Sequence, residues 1–280
     1  MSVTLTVVAE NRVGLSQGLI AEHGFCVHLD LGESAILWDT GQGMALAQNA
    51  PRLGLDWKKI QTIALSHGHF DHTGGLAAAL ELAGGCRVVC HPACFEGKIA
   101  RREFFGKTLE IPVGMPAGRE ACVAKGARFQ EVEDSLEILP GVFFFTGIPM
   151  DSGFETIEPG FFVRTPQGLV PDPFADDAAL AVKTDQGVSV ILGCAHRGLI
   201  NTLRHIKNRL GVDRIYSVWG GTHLLEKNPE AVAATIAALR EMEVGMVAAA
   251  HCTGFGNELK LAAALGDRFR FAHVGARETL

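Results

Sequence analysis

One short segment, residues 66–75, constrains this chain more than any other part of its sequence. It places three histidines and one aspartate within six residues, namely His67, His69, Asp71 and His72. An apolar run at 60–65 comes directly before the segment, and a run of helix formers at 76–82 follows it. The sequence therefore predicts that the four side chains lie on a loop between a strand and a helix.

These side chains have the chemistry of metal ligands. Imidazole nitrogens and carboxylate oxygens bind Zn²⁺, Mn²⁺ and Fe²⁺. His67 and His69 alternate along the chain, so in an extended backbone both point to the same side. Asp71 and His72 follow as the chain turns and can face a second position, as in dinuclear centres whose metals lie about 3.5–4 Å apart. A histidine-rich surface loop is the alternative, but so dense a cluster before Gly-Gly favours a metal site.

The composition is typical of a globular protein and narrows its partners and compartment. The net charge of −6 comes without a basic run, so nucleic acid is not an expected partner. No uncharged apolar run reaches about 18 residues, so we expect no membrane-spanning helix. The first residues lack the pattern of a signal peptide, and seven cysteines without one indicate reduced thiols in a cytoplasmic protein. The apolar content, 48% of the 280 residues, is compatible with a homodimer.

Three later histidines follow apolar, strand-like runs and stand beside or near glycine, namely His196, His223 and His251. Side chains at the ends of separate strands can converge on one site. A single histidine of this kind is more often structural, but three in the same context favour metal ligands, with His251 ranked first and His223 last. His91 also follows a short strand, where a structural role and a contact with substrate are both compatible with the sequence.

Residues 95–130 are the least regular part of the chain. They carry seven basic side chains among glycines and prolines. We interpret this range as an insertion or lid over the site rather than a core layer. Its positive charge, on an acidic chain, suits a phosphate or carboxylate of the substrate. A solvated loop is the alternative.

The segment Leu65-Ser66-His67-Gly68-His69, with Asp71-His72-Thr73-Gly74-Gly75, resembles the His-x-His-x-Asp-His metal signature of the metallo-β-lactamase superfamily. The resemblance implies an α/β (α+β) fold, a four-layer αββα sandwich formed by one domain over residues 1–280, with the metals at one edge. In that family an Asp-Thr-Gly supports the metal loop, which gives this role to Asp39; from turn chemistry alone, an ordinary turn aspartate is the alternative. The family's bridging aspartate corresponds here to Cys194. His251, in Ala250-His251-Cys252-Thr253-Gly254, resembles the last metal histidine of the family.

Further segments at 193–202, 220–224 and 251–254, with Ala21-Glu22-His23-Gly24-Phe25, resemble one prokaryotic branch of that superfamily. The branch is labelled 7,8-dihydropterin-6-yl-methyl-4-(β-D-ribofuranosyl)aminobenzene-5′-phosphate synthase-like. The label implies a pterin and a ribosyl phosphate. The metal number stays open, since a thiolate such as Cys194 can bind zinc and His196 can take its place.

The expected function is metal-dependent hydrolysis of a phosphoester or related small anionic substrate by a metal-bound water. One or two ions, Zn²⁺ first and Mn²⁺ or Fe²⁺ as alternatives, are expected on His67, His69, Asp71, His72, Cys194, His196 and His251. Asp71 is also expected to orient the nucleophile or move a proton. The residues expected to contact substrate are His91, Arg197 and His223, and His223 is also a candidate proton donor to the leaving group. A transferase of pterin metabolism, a two-iron redox protein and a non-catalytic metal-binding protein are the alternatives.

Overall fold

Two large β-sheets face each other in the computed structural model, which describes residues 2–15 and 18–280. In chain order the strands are β1 (Thr4–Ala9), β2 (Cys26–Asp30), β3 (Ala35–Trp38), β4 (Ile60–Ala64), β5 (Arg87–Cys90), β6 (Gly97–Phe104), β7 (Lys107–Pro112), β8 (Arg128–Glu131), β9 (Ser135–Leu139), β10 (Val142–Phe145), β11 (Phe161–Thr165), β12 (Gly168–Pro171), β13 (Ala179–Thr184), β14 (Gly187–Leu192), β15 (Ile215–Gly221), β16 (Met246–Ala250), β17 (Phe269–Phe271) and β18 (Arg277–Thr279).

The helices pack on the outer faces of these sheets or connect their strands. They are α1 (Met44–Leu53), α2 (Phe70–Thr73), α3 (Leu76–Ala83), α4 (Arg119–Ala124), α5 (Leu199–Leu210), α6 (Pro229–Glu241) and α7 (Phe255–Leu265). Helix α5 shows why the sequence folds this way, because its apolar residues Leu199, Leu203 and Ile206 recur on one buried face. It ends at Gly211, which adopts the left-handed backbone conformation with φ 61°.

Both large sheets combine antiparallel strands on one side with parallel strands on the other. The first sheet has the order β18-β1-β2-β3-β4-β5-β8, and β3, β4, β5 and β8 are parallel. The second has the order β17-β16-β15-β14-β13-β10-β9, and β14 to β17 are parallel. A third, small sheet has the order β12-β11-β6-β7. The parallel blocks matter for function, because ligands bind at the carboxyl ends of such strands.

The core forms three apolar layers that alternate with the sheets. Between the sheets lie residues of both, including Trp38, Phe144 and Leu180. Leu46 of α1 and Leu80 of α3 cover the outer face of the first sheet, and α5, α6 and α7 cover that of the second. This arrangement confirms the predicted αββα sandwich. Among the described residues, no helix is long and apolar enough to cross a membrane.

The range 95–130 divides into two structural parts. Strands β6 and β7 join β11 and β12 in the small sheet, which lies over the strand ends of the two large sheets. Strand β8 instead extends the first sheet, where it pairs with β5. Helix α4 comes directly before β8 and packs beside α3. The sequence did not indicate β11, because its partner β6 is about sixty residues earlier and such pairing leaves no local pattern.

Candidate metal centre

The predicted ligands lie where parallel strands of the two large sheets end. They are Asp39 after β3, residues 66–72 after β4, Cys194 and His196 after β14, His223 after β15, and His251 after β16. Parallel neighbours end at the same edge of a sheet, so the loops of one sheet lie side by side and face those of the other. Side chains far apart in the sequence therefore converge.

A first group of ligand atoms comes from His67, His69 and His196. These atoms lie within 4.8 Å of one another, and the Nε2 atoms of His67 and His196 are 3.2 Å apart. Burial lowers the pKa of all three imidazoles, to about 3 for His69. The rings are therefore neutral at pH 7 and keep a lone pair. The buried Nε2 of His69 has no hydrogen-bond partner among the described residues, as expected of a nitrogen that binds a cation.

A second group surrounds Asp71. Its Oδ2 lies 3.2 Å from Nε2 of His251, 3.2 Å from Nε2 of His23 and 3.9 Å from Nε2 of His72. The Nε2 atoms of His72 and His251 are 3.3 Å apart. Burial opposes a charge on His72, but Asp39 and Asp71 outweigh it and raise its pKa to about 9. The environment of His72 thus favours a positive charge at this ring. A cation bound at Nε2 would supply that charge in place of the proton.

Cys194 lies between the two groups. Its Sγ is 3.2 Å from Nε2 of His72, and it forms one cluster with His67 and His72 and another with His251 and Cys252. The structure places His196 with the first group and Cys194 between the groups. The two residues therefore hold different positions and do not replace each other.

The far side of three ligand rings is held by hydrogen bonds. Nδ1 of His67 contacts Ser66 Oγ at 2.8 Å, Nδ1 of His72 contacts Asp39 Oδ2 at 2.7 Å, and Nδ1 of His251 contacts Asn11 Oδ1 at 2.9 Å. These contacts leave Nε2 of each ring facing the centre, which is how outer hydrogen bonds orient metal ligands. The position of Asp39 agrees with the supporting role predicted for it.

Asp39 holds the loop as well as the ring. It accepts hydrogen bonds from the backbone N–H and the hydroxyl of Ser66, both at 2.7 Å. The backbone of Gly193 passes directly over this pair, and a Cβ added there would lie 2.0 Å from Ser66 Oγ and 3.2 Å from Asp39 Oδ2. The absence of a side chain at Gly193 is therefore a condition for this network.

The loops at the site contain strained backbone. Four non-glycine residues there have φ near +50°, namely Asp39 (55°), Ala195 (54°), His223 (50°) and His251 (52°). This conformation costs roughly 1–2 kcal/mol per residue, and strain of this kind collects at functional sites. The surrounding packing must overcome that cost to hold the ligands in place.

A cavity of about 390 Å³ lies over the ligand groups. Its upper wall comes from the small sheet and the residues next to it, including Ile111, Phe161 and Arg102. The Arg102 guanidinium lies 4.6 Å over the Phe161 ring and 3.5 Å from Glu158. Glu158 also contacts Nδ1 of His223 at 3.0 Å. Burial opposes protonation of His223, but Glu158 raises its pKa overall, so the cavity contains an imidazole that readily carries a proton.

A second cavity of about 340 Å³ adjoins the first. The two share His196, His223, Glu158 and Glu226 in their walls. The second cavity extends past Phe154 and Leu224 to the beginning of α6. A two-part ligand can therefore place one part at the ligand groups and the other beyond His223.

Two expected substrate contacts lie outside the walls of the first cavity. Arg197 donates from its guanidinium to the carbonyl oxygens of Ile148 and Pro173, so it joins loops rather than facing a ligand. His91 accepts the backbone N–H of Ala93 through Nδ1 and begins a short 3₁₀ turn. Each residue therefore has a structural contact of its own, and the substrate contacts expected of Arg197 and His91 stay predictions.

The charge of the predicted lid is also largely neutralised. Lys98 is buried and pairs with Asp172 at 2.8 Å and Asp176 at 2.9 Å. Arg101 pairs with Glu110, and Arg102 is the member of this basic set that lines the first cavity. The expectation of a broad positive surface for an anionic substrate is therefore reduced to one guanidinium.

Sequence reasoning missed several residues of the site, namely Asn11, His23, Arg102, Glu158 and Cys252. His23 stood in the segment 21–25 that resembles the synthase-like branch, which was the available signal. Arg102 was one of seven basic residues with nothing to single it out. Asn11 and Glu158 carry no sequence signal, because their roles arise from contacts with His251 and His223 across the fold.

The donor set fits a divalent metal ion. It offers imidazole, carboxylate and thiol groups, with neutral rings at His67, His69 and His196, an unpartnered buried nitrogen and outer contacts that orient the ligands. Such mixed N, O and S ligands suit Zn²⁺ and related transition-metal ions. The residues present are thus sufficient for one metal position and provide ligands for a second.

Comparison with known proteins agrees with this geometry. The family model of the metallo-beta-lactamase superfamily matches residues 20–195. A 7,8-dihydropterin-6-methyl-4-(beta-D-ribofuranosyl)-aminobenzene-5'-phosphate synthase of Methanocaldococcus jannaschii is 28% identical over 98% of this chain and 95% of its own. An uncharacterized protein of the same organism is 28% identical over 91% of this chain and 92% of its own.

Solved structures show the same fold. Tm1679, described as a metal-dependent hydrolase of the beta-lactamase superfamily, superposes with a TM-score of 0.84 at 26% identity and covers 99% of both chains. Zn²⁺-bound PqqB from Methylobacterium extorquens superposes with a TM-score of 0.59 at 13% identity and covers 100% of both. The second likeness concerns the fold alone.

Proposed function

The chain belongs to the metallo-β-lactamase superfamily, and from that premise we propose that it is a metal-dependent hydrolase of a small anionic substrate, with a phosphoester as the expected type. One observation carries the proposal. Three buried, neutral histidines (His67, His69 and His196) and the carboxylate of Asp71 lie beneath a cavity whose wall holds the guanidinium of Arg102. That combination suits an electrophile that carries negative charge.

The residues that would hold the metal are divided between the two groups. His67, His69 and His196 would supply one position, and Asp71, His72 and His251 would supply ligands for the other, with Cys194 between them. A bound divalent metal ion lowers the pKa of water toward neutrality and polarises a phosphoryl or carbonyl oxygen. The protein itself holds these ligands in place at one edge of the sandwich, where they are buried.

The remaining residues bind, orient and move protons. Arg102 binds an anionic group of the substrate, helped by the ring of Phe161 beneath it. His223, held at Nδ1 by Glu158, presents its other nitrogen as a proton donor to a leaving group. Asp71 holds His23, an exposed imidazole that can pass a proton between the site and solvent.

The test combines metal analysis with a generic phosphodiester. Elemental analysis of the purified protein is expected to give one or two zinc, manganese or iron ions per chain, and bis(p-nitrophenyl) phosphate is expected to be hydrolysed in a chelator-sensitive reaction. Metal without turnover of phosphomonoesters, phosphodiesters or carboxylic esters would contradict the hydrolase. The absence of metal would contradict the whole proposal.

A synthase is the second candidate, favoured by the adjoining cavity. Two adjoining cavities of about 390 and 340 Å³, which share four wall residues, suit the joining of two molecules as well as the cleavage of one. The Methanocaldococcus relative bears the name of a synthase whose product contains a pterin and a ribofuranosyl-aminobenzene phosphate. Incubation with an activated pterin and the arylamine ribosyl phosphate separates the candidates, because a coupled product supports the synthase and release of the pterin to water alone supports the hydrolase.

A further inference from the structure

Two cysteine thiols lie together at one end of the centre. The Sγ atoms of Cys194 and Cys252 and one nitrogen of His251 all lie within 4.8 Å of one another. Cys252 Sγ is also 3.6 Å from the carbonyl oxygen of Cys194. The functions assigned above give a role to Cys194 but none to Cys252.

The fold directs the Cys252 thiol into this position. The residue stands in a single 3₁₀ turn directly after β16, next to His251, and its side chain forms part of the cavity wall. Its Sγ accepts the backbone N–H of His223 at 3.3 Å. Gly221 leaves the necessary room, because a Cβ there would lie 2.6 Å from the sulfur.

The other cysteines of the chain have a different environment. Cys26, Cys86, Cys90, Cys94 and Cys122 are buried in the apolar layer outside the first sheet. Among the described residues, Cys194 and Cys252 are the cysteines that share a cluster with imidazole nitrogens. A free thiol in an apolar core acts as a small hydrophobic group, whereas paired thiols beside histidine have the composition of a soft metal site.

We propose that Cys252 is a metal ligand, and that with Cys194 it adds thiolate donors to the position that includes His251, at the end of the centre that faces β16. Each thiol gives its proton to solvent when its sulfur binds the ion. Sulfur ligands favour Zn²⁺ and Co²⁺ over Mn²⁺ and Mg²⁺. This position therefore makes the protein selective for soft ions, a property that the histidine and aspartate ligands alone do not provide.

Cobalt substitution tests this position directly. The metal-free protein is titrated with Co²⁺ alone under anaerobic conditions, and the absorption spectrum is recorded. Thiolate ligands are expected to produce an intense near-ultraviolet charge-transfer band that imidazole and carboxylate ligands do not produce. Cys252→Ser is expected to reduce this band to about half, and the Cys194→Ser/Cys252→Ser double variant to abolish it. Cys86→Ala, which alters a core cysteine, is the matched control and keeps the full band.

The inference rests on the metal binding in the proposed function, and the same titration distinguishes their failures. Equilibrium dialysis measures bound Co²⁺ independently of the spectrum. If wild-type protein binds no Co²⁺, the proposed function and this inference both fail. If Co²⁺ binds but the charge-transfer band is missing, or is unchanged in Cys252→Ser, only the thiolate position is overturned.

A competition experiment gives a second readout that does not depend on cobalt. Cys252→Ser is expected to weaken Zn²⁺ binding by roughly tenfold or more while changing Mn²⁺ binding much less. Circular dichroism of the metal-free variants confirms that they are folded. Equal losses for both ions in a folded variant would contradict selection by sulfur.

Discussion

The two sides of the cavity differ in how deeply their side chains are buried. The floor consists of the loops after β3, β4, β14, β15 and β16, and the side chains that form its ligand groups are largely buried. The roof is the small sheet of β6, β7, β11 and β12, and every residue of β7 is exposed. The floor holds its chemical groups in buried positions, where neighbouring side chains contact the ligand rings. The roof presents a few side chains on a surface that tolerates change.

A buried cluster of charged side chains is one of the contacts that join the roof to the floor, beside the packing of Phe161 on the His69 ring. Lys98 of β6 binds Asp172 and Asp176, and Asp176 also accepts the backbone N–H of Gly68 at 2.7 Å, between His67 and His69. The difference between the regions indicates that metal binding depends on the floor, substrate preference depends on the roof, and this cluster couples them. Variants on each side test that division.

The largest effect is expected from removal of a floor ligand. His69→Ala deletes the unpartnered nitrogen of the first group and is expected to abolish metal at that position, while Asp71→Ala does the same for the second. Elemental analysis of folded protein measures the loss, and His205→Ala, which alters a histidine of α5 far from both groups, is the control. Unchanged metal content in both ligand variants would contradict the assignment.

The next effect is expected from the support behind a ligand. Asp39→Ala removes the acceptor of His72 Nδ1 and both contacts of Ser66. Loss of such an outer contact costs about 10–100-fold in metal affinity, which chelator competition measures. Asp213→Ala, at an exposed aspartate, should leave affinity unchanged. If Asp39→Ala bound metal as tightly as the control, the orientation of the ligand rings would not depend on Asp39.

Removing Lys98, which joins the two regions through Asp172 and Asp176, is expected to affect stability more than metal content. Lys98→Met leaves Asp172 and Asp176 buried without their cation and should lower the free energy of unfolding by about 3–5 kcal/mol. Denaturant unfolding measures this change, with Lys58→Met at an exposed lysine as the control. Metal content per folded chain should persist, so a parallel loss of metal would show that roof and floor form one unit.

The smallest effect is expected in the roof. Arg102→Ala removes the guanidinium over Phe161 and should raise KM for an anionic substrate by about tenfold, the value of roughly one charge-assisted hydrogen bond. Metal content and the turnover of a neutral ester should stay the same. An equal loss with charged and neutral substrates would assign Arg102 to packing instead of substrate binding.

The same division explains what could be predicted from the sequence. The first ligand cluster is local, since His67 to His72 lie within six residues on the segment that leads from β4 into α2, and its density indicated a metal site. His196 and His251 were found because each follows an apolar strand. Asp39 needed the resemblance to a family, because a turn aspartate has no distinctive pattern of its own.

The roof could not be predicted in this way. Lys98 looked like one more exposed basic residue, and its burial depends on Asp172 and Asp176, more than seventy residues later. Arg197 looked like a substrate contact because it follows His196, but carbonyl groups of two other loops bind it. Contacts between distant segments hold both side chains, and a local sequence pattern does not contain them.

Gly193 has a consequence for how this protein can change over evolutionary time. It contributes no side chain to the site, yet even the methyl group of alanine would collide with the Ser66 hydroxyl and crowd Asp39. We therefore expect the position to reject every other amino acid, while neighbouring ligands can exchange, as histidine for aspartate or cysteine. The least variable residue of the site is then one without a side chain, and a mutational scan would identify it before any ligand.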